Sequence, residues 1–453
     1  MGKKILIASV LLFHNLCFAQ ASKVEEYGAK SDGKTNSTIA IQKAIDLCSK
    51  NGGDQVELSE GVYLSGTIEL KSNVSLYISY SSTLKAIEDS SAFRFVKSSV
   101  VSRTLNPWKA FIYADSQVNV RICGGGTIDG SGEEHCFVNN IGDSPARPYG
   151  LLLINCLNVV VENLNMRNSA FWMQRYLNCT GVRVSHLNVF NHANMNNDAI
   201  DIDSSNDVVV GDCIFDSSDD AIVIKAEGNN PSKNIVISNC IASSFASAIK
   251  FGTGSIGGFE NIVISNIVIR HSKSKTMHHP YKVWGGLTGI DIVCSDGGEL
   301  RQIMISNITM EDVLCPIHVR LGNRLGGNVP KFKGTLGNKT PDFVFEDVTI
   351  SNVMARNVGP IPVVVAGFEG HPVKGVTLKD ITVHYGTAGT EKDITTAPNW
   401  IANGYPGISM YKTHLPVYGL ISNFTENLRV ENFRAFPAKD EPRPMELHLN
   451  RTK

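Results

Sequence analysis

Residues 234–245 read NIVISNCIASSF and residues 261–272 read NIVISNIVIRHS. Each alternates apolar and polar side chains, breaks at Asn, and alternates again, the pattern of two short strands joined by a tight corner. Segments of the same form begin at Asn119 (NVRICGGGTIDG), Asn158 (NVVVENLNMRNS), Gly181 (GVRVSHLNVFNH) and Asp207 (DVVVGDCIFDSS), and again at Gln302, Asp342, Gly375 and Asn427. The shortest spacings between them are 23, 26, 27 and 27 residues. No unit of this size buries its apolar face alone. Stacked copies do, because each strand pairs with its equivalent about 4.8 Å above and below, and the inward side chains form continuous columns. The expected fold is therefore all-β, a right-handed parallel β-helix. Barrels of alternating strands and helices, and propellers, fit poorly, since no regular helical stretches recur between the strands and there is no hairpin per blade.

One helix stands out over 37–49 (STIAIQKAIDLCS), with Ile41, Ala44, Ile45 and Cys48 on one face, a Ser or Asn cap before it, and Gly52 and Gly53 after it. It is expected to cover the N-terminal end of the core and block edge pairing there. The first residues carry Lys3 and Lys4, an apolar run from Ile5 to Cys17, and a small-residue end, which predicts a secretory signal over 1–21 and one β-helical domain over 22–453. Removing two lysines takes the formal charge from -1 to -3, with 40 basic against 43 acidic residues. That balance offers no footprint for nucleic acid and no polybasic membrane patch, and no later apolar run is long enough to span a bilayer. A monomer in the periplasm or outside the cell is expected. Ten cysteines include Cys17, leaving nine, an odd number. Cys156, Cys179, Cys213 and Cys240 recur at similar repeat positions, which favours stacked core residues over a metal or disulfide framework. No metal site or cofactor is expected.

A second strand of the coil aligns by its own pattern: Asp198-Ala-Ile-Asp-Ile-Asp203, Asp220-Ala-Ile-Val-Ile-Lys225, Ser247-Ala-Ile-Lys-Phe-Gly252, Thr288-Gly-Ile-Asp-Ile-Val293 and Cys315-Pro-Ile-His-Val-Arg320. Ile200, Ile222, Ile249, Ile290 and Ile317 then form one inward column, and Ile202, Ile224, Phe251, Ile292 and Val319 the next. Alternation sends Asp201, Val223, Lys250, Asp291 and His318 outward in one row, and Asp203, Lys225, Gly252, Val293 and Arg320 in another. Asp198 falls beneath Asp220, with Asp219 beside it in the corner. Carboxylates stacked about 5 Å apart oppose each other's ionisation, so one can stay protonated as a general acid while another activates water. An inverting glycosidase makes that demand, with its two carboxyl groups ordinarily about 6.5 to 9.5 Å apart. The bland readings are an Asx-rich turn ladder and a calcium site.

The paired motifs NNDAIDIDSS, from Asn196, and SSDDAIVIK, from Ser217, resemble the signatures of the polygalacturonases, glycoside hydrolase family 28. YGAKSDGKTNSTIAIQKAIDLC, from Tyr27, and GGGTIDGSG, from Gly124, look like the same superfamily. The resemblance implies metal-free inverting hydrolysis of an acidic, pectin-like polysaccharide or oligosaccharide, with Asp219 as general acid and Asp198 and Asp220 positioning water. Two positions depart from the family pattern. Its Gly-His-Gly motif falls at Ala246-Ser247-Ala248, and its Arg-Ile-Lys motif at Asp291-Ile292-Val293, which implies a distinct, exo-acting branch. Substrate contacts are then expected from Asp201, Lys250, His318 and Arg320 in the outward rows, from Trp172 and Gln174 in the preceding coil, and more weakly from Arg324. Aromatic loops around His278, His279, Tyr281 and Trp284, and around Trp400, Tyr405, Tyr411 and Tyr418, suit sugar stacking or packing on the barrel equally well. A calcium-dependent uronate lyase and a non-catalytic glycan-binding β-helix are the competing functions.

Overall fold

The computed structural model describes residues 21–449, except 97, 99, 101–107, 139–145, 276–284, 325–342, 401, 403, 404, 406 and 412–414. The segment 1–20 and the loop carrying His278, His279, Tyr281 and Trp284 lie outside the described residues.

The chain forms a parallel β-helix whose strands collect into a 19-stranded and a 12-stranded sheet. Crossovers between parallel strands of one sheet are right-handed almost without exception, and the coil follows that hand. The repeats pair as the sequence predicts. Val209, Val236 and Val263 are in register, and so are Ile214, Ile241 and Val268. At the corners the Asn and Asp residues take positive φ, as at Asp207 (56°), Asn234 (54°) and Asn261 (53°). Short amide and carboxylate side chains tolerate that conformation because they bond locally. Here they also bond up the stack: Asn234 donates to Asp207 at 3.0 Å and Asn261 to Asn234 at 2.9 Å.

Helix α1 (Thr38–Lys50) buries Ile41, Ala44, Ile45 and Cys48 against the first strands. Its first N–H is satisfied by Asn36 Oδ1 at 3.0 Å, while the Ser37 hydroxyl turns back to the carbonyl of Lys30. Every described cysteine is free, and Cys156, Cys179, Cys213 and Cys240 are buried in the main core.

The second sheet carries the predicted columns. Ile200, Ile222, Ile249, Ile290 and Ile317 stack in register, as do Ile202, Ile224, Phe251, Ile292 and Val319, all fully buried. The rows on the outer side of this sheet depart from expectation, because they too are covered. Trp108, Tyr149, Phe171 and Trp172 pack over the earlier coils. Ile408, Tyr411, Leu415 and Val417, with Trp400 against them, pack over the later ones. Among the described residues, a stretch of the outer surface between these two coverings lines a small cavity.

Candidate active site

The ladder that aligns the isoleucines also fixes the row two residues earlier. Met173 N–H donates to the Asp198 carbonyl, Ala199 N–H to that of Asp220, and Ala221 N–H to that of Ser247, which places Trp172, Asp198, Asp220 and Ser247 in one line. Asp219 juts from the corner below Asp220. Its carbonyl is held by the hydroxyls of Ser217 (2.8 Å) and Ser244 (2.5 Å), and its carboxylate accepts the Asp220 N–H at 3.0 Å. One oxygen from each of Asp198, Asp219 and Asp220 lies within 4.8 Å of the other two. The three predicted acids therefore converge, but more tightly than the 6.5–9.5 Å expected of an inverting pair, because neighbouring rungs stand only about 4.8 Å apart.

The three differ in environment. Asp198 and Asp220 are buried, and Asp219 alone is partly exposed. Burial, reinforced by the carboxylates of Asp201 and Asp219, holds Asp198 well above the usual carboxylate range. Burial would raise Asp220 as well, but Lys250 and Lys225 and the Ser247 N–H outweigh it and hold Asp220 below that range. Lys250 Nζ stands 2.8 Å from Asp220 Oδ2, while Lys225 Nζ is 3.0 Å from Asp201 Oδ1 and 3.8 Å from Asp198 Oδ2. Burial also pushes Asp201 up, to about 7, against the pull of Lys225. One carboxylate is thus kept ionised and its neighbour kept prone to hold a proton.

A cavity of about 140 Å³ opens onto this cluster, bounded by Phe171 and Trp172 on one side and Tyr405 on the other. Asn196, Lys225, Glu227, Lys250, Gly252, Thr253 and Arg324 complete its lining. Trp172 is the expected wall: its ring stacks on Phe171 with centroids 5.2 Å apart and carries Lys225 Nζ 4.4 Å from its own centroid. Arg324 also lines the cavity, its Nε 2.8 Å from Asp296 Oδ1.

Four expected substrate contacts are corrected. Gln174 shares a register with Leu151 and Ile200, so its side chain enters the cylinder and accepts the Tyr176 hydroxyl at 2.8 Å. Asp201 is fully buried beneath Lys225 and does not reach the cavity. His318 and Arg320 point outward as predicted but lie under Tyr411 and Trp400. His318 meets Asp291 at 2.7 Å and Tyr411 at 3.2 Å, and Arg320 donates to the Trp400 carbonyl at 2.9 Å. Lys250 is at the site, as the partner of Asp220 and of the Tyr405 hydroxyl (3.0 Å).

Pattern reasoning did not single out Lys225, Asn196 or Glu227 as site residues, while Tyr405 was among the aromatic residues suited to sugar stacking or packing. Lys225 and Asn196 stand inside the two diagnostic motifs, so the signal was there: Lys225 ends the strand Ile222–Lys225 that follows Asp220. Arg175, buried against Asp203, Glu227 and the face of Trp172, has no contact with the cavity but fixes that wall. Of the aromatic loop, Trp400 and Tyr411 pack on the barrel, whereas Tyr405 is half exposed at the rim.

Residues 48–403 match the family model described as glycosyl hydrolases family 28. The chain belongs to that family. Among curated relatives, a probable polygalacturonase of Vitis vinifera is 26% identical over 46% of this chain and 45% of its own length. An endo-polygalacturonase of Pectobacterium carotovorum is 40% identical over 29% of this chain and 36% of its own. The chain thus spans less than half the length of these relatives. An exopolygalacturonase from Thermotoga maritima superposes with a TM-score of 0.66 at 20% identity, over 92% of this chain and 93% of that one, and shares the fold. Ser247 and Asp291 are both buried and bonded to one another at 2.9 Å, and Val293 is buried.

Proposed function

We propose that the protein is an exo-acting glycoside hydrolase that removes α-linked galacturonate from the end of pectin-like chains, with inversion. The carrying observation is the three-carboxylate cluster whose members are driven toward opposite protonation states by burial and by two lysines. Asp219, the partly exposed member, protonates the glycosidic oxygen as the bond to the anomeric carbon breaks. A water held against Asp220 and Asp198 adds its oxygen to that carbon and gives its proton to the ionised carboxylate. Coupled carboxylates share their proton, so the burial that raises Asp198 keeps one in the cluster for Asp219 to deliver.

Inversion rests on family membership, since the spacing of the carboxylates does not favour it. Chain-end action is supported by the cavity's small volume and by the walls at Trp172 and Tyr405, which suit one terminal sugar. Lys225 and Arg324 at the lining suit a uronate carboxylate. Export to the periplasm or beyond fits a polysaccharide substrate and the basic, then apolar, segment 1–21; N-terminal sequencing of the protein from its host would test it.

Purified protein is expected to release reducing monosaccharide from oligogalacturonates, with the inverted anomer first in the NMR spectrum. Asp219→Asn and Asp220→Asn should each lose about a hundredfold or more in kcat with the fold retained, Asp220→Asn at a lowered melting temperature because the buried Lys250 loses its carboxylate. Wild-type turnover in both variants would end the proposal, and binding without new reducing ends would replace it with a glycan-binding role.

A further inference from the structure

Behind Asp220 runs a chain of hydrogen bonds with no place in the mechanism above. The Ser247 N–H donates to Asp220 Oδ1 at 3.0 Å, and the hydroxyl of the same serine donates to Asp291 Oδ2 at 2.9 Å. Asp291 Oδ1 meets His318 Nδ1 at 2.7 Å, and His318 Nε2 meets the Tyr411 hydroxyl at 3.2 Å. Each link comes from the next rung of the coil until Tyr411, which arrives from the 3-10 turn Ile408–Tyr411 folded over the outer rows. All four residues are nearly or fully buried.

The order of the links decides what the chain can do. A nucleophilic triad needs the imidazole between hydroxyl and carboxylate. Here the carboxylate stands between, so the serine is not activated for attack. Asp291 accepts the Ser247 O–H at Oδ2 and pairs with His318 Nδ1 through Oδ1, while His318 Nε2 pairs with the Tyr411 hydroxyl. Burial holds the Tyr411 phenol above its ordinary range, so it keeps its proton. The network anchors the Ser247 peptide at a fixed angle to Asp220, and buried networks of this kind hold geometry when every member is satisfied.

We propose that Ser247, Asp291, His318 and Tyr411 are positioning residues that aim the Ser247 N–H at Asp220 and help keep that carboxylate ionised. In doing so they couple the loop over the later coils to the site. The inference rests on the hydrolase reading for its kinetic consequence and on geometry alone for its electrostatic one. Ser247→Ala is the sharpest probe, because it keeps the N–H and every charged side chain facing Asp220 (Lys250, Lys225, Asp198, Asp219) and removes only the hydroxyl that ties the serine to Asp291.

In Ser247→Ala, kcat is expected to fall roughly tenfold to a hundredfold with KM within about twofold, as when one preorganised donor is loosened. The acid limb of the kcat profile should move to higher pH, because a carboxylate that loses a fixed N–H binds its proton more tightly. Ser247→Thr should restore most of the activity, since the next rung already holds Thr288 at this row. Tyr411→Phe, at the far end, should shift the same limb in the same direction by less. Carbon-13 NMR titration of the Asp220 carboxyl reads the shift without turnover. An Asp220 titration unchanged in both Ser247→Ala and Tyr411→Phe overturns the inference whether or not the wild type cleaves galacturonate. Absence of wild-type cleavage beside a shifted titration counts against the hydrolase reading alone.

Discussion

Asp220 is surrounded by other carboxylates yet stays ionised, and the cause is within reach of one substitution. Opposite charge a few ångströms away favours the ionised form, and Lys250 Nζ is 2.8 Å from it. A depressed carboxylate supports activity above its pKa and loses it as pH falls through that value. Lys250→Met should therefore raise the acid limb of kcat/KM by about 1–3 pH units. A pH–rate profile with an unmoved acid limb would refute the pairing. Asp201 has the opposite sign. Its folded pKa, pushed up to about 7, lies above the unfolded value, so the stability linked to its proton is present below that unfolded value and is lost as pH rises toward about 7. Melting temperatures of the wild type should fall between pH 5 and pH 8 by more than those of Asp201→Asn. A parallel pH dependence in the two proteins would contradict the shift.

The elements that carry these residues are short strands of one repeated kind, and their cohesion comes from columns. Ile249 sits mid-column between Ile222 and Ile290, fully buried, where neighbours on both rungs resist collapse into a void. Ile249→Ala should cost about 2–5 kcal/mol in denaturant titration. The corners are legible in the same way. Asn266 has φ of 57°, donates to Asn239 at 3.1 Å and accepts from Asn307 at 3.0 Å. Asn266→Ala loses both bonds and gains left-handed strain of about 1–2 kcal/mol, whereas Asn266→Gly loses only the bonds. Glycine should therefore be the milder of the two, and equal melting temperatures would show that the backbone conformation is not what selects asparagine here. The alternation that fixes these columns also fixed which side chains leave the barrel. It carried no information on what would lie over them, and that is why His318 and Arg320 read as substrate contacts and are packed under a loop.

At the scale of the whole molecule the site is completed by residues remote in sequence. Tyr405 is 155 positions from the Lys250 whose ammonium it contacts. Its half-exposed ring at the cavity rim suggests a contact made with the sugar in ground and transition states alike, so Tyr405→Ala should raise KM several-fold with a smaller change in kcat. A loss in kcat alone would place Tyr405 among the residues that tune Lys250. The oxygens of the three acids are close enough to hold a divalent cation, as a uronate lyase would require, but two buried ammonium groups already supply positive charge beside them. Activity is expected to survive chelator, with no gain in the ultraviolet absorbance that marks unsaturated uronates. Loss in chelator together with such absorbance would favour the lyase.

Sequence alone determined the coil, its register and the meeting of Asp198, Asp219 and Asp220, because a period-two pattern repeated at near-constant spacing dictates both which face is buried and which residues stack. Tertiary structure alone decided which cations face which acids, which rows are roofed over and where the cavity opens. Those depend on long loops whose packing follows no period, and on the balance between burial and charge at each carboxylate, which exists only once distant segments have closed around it.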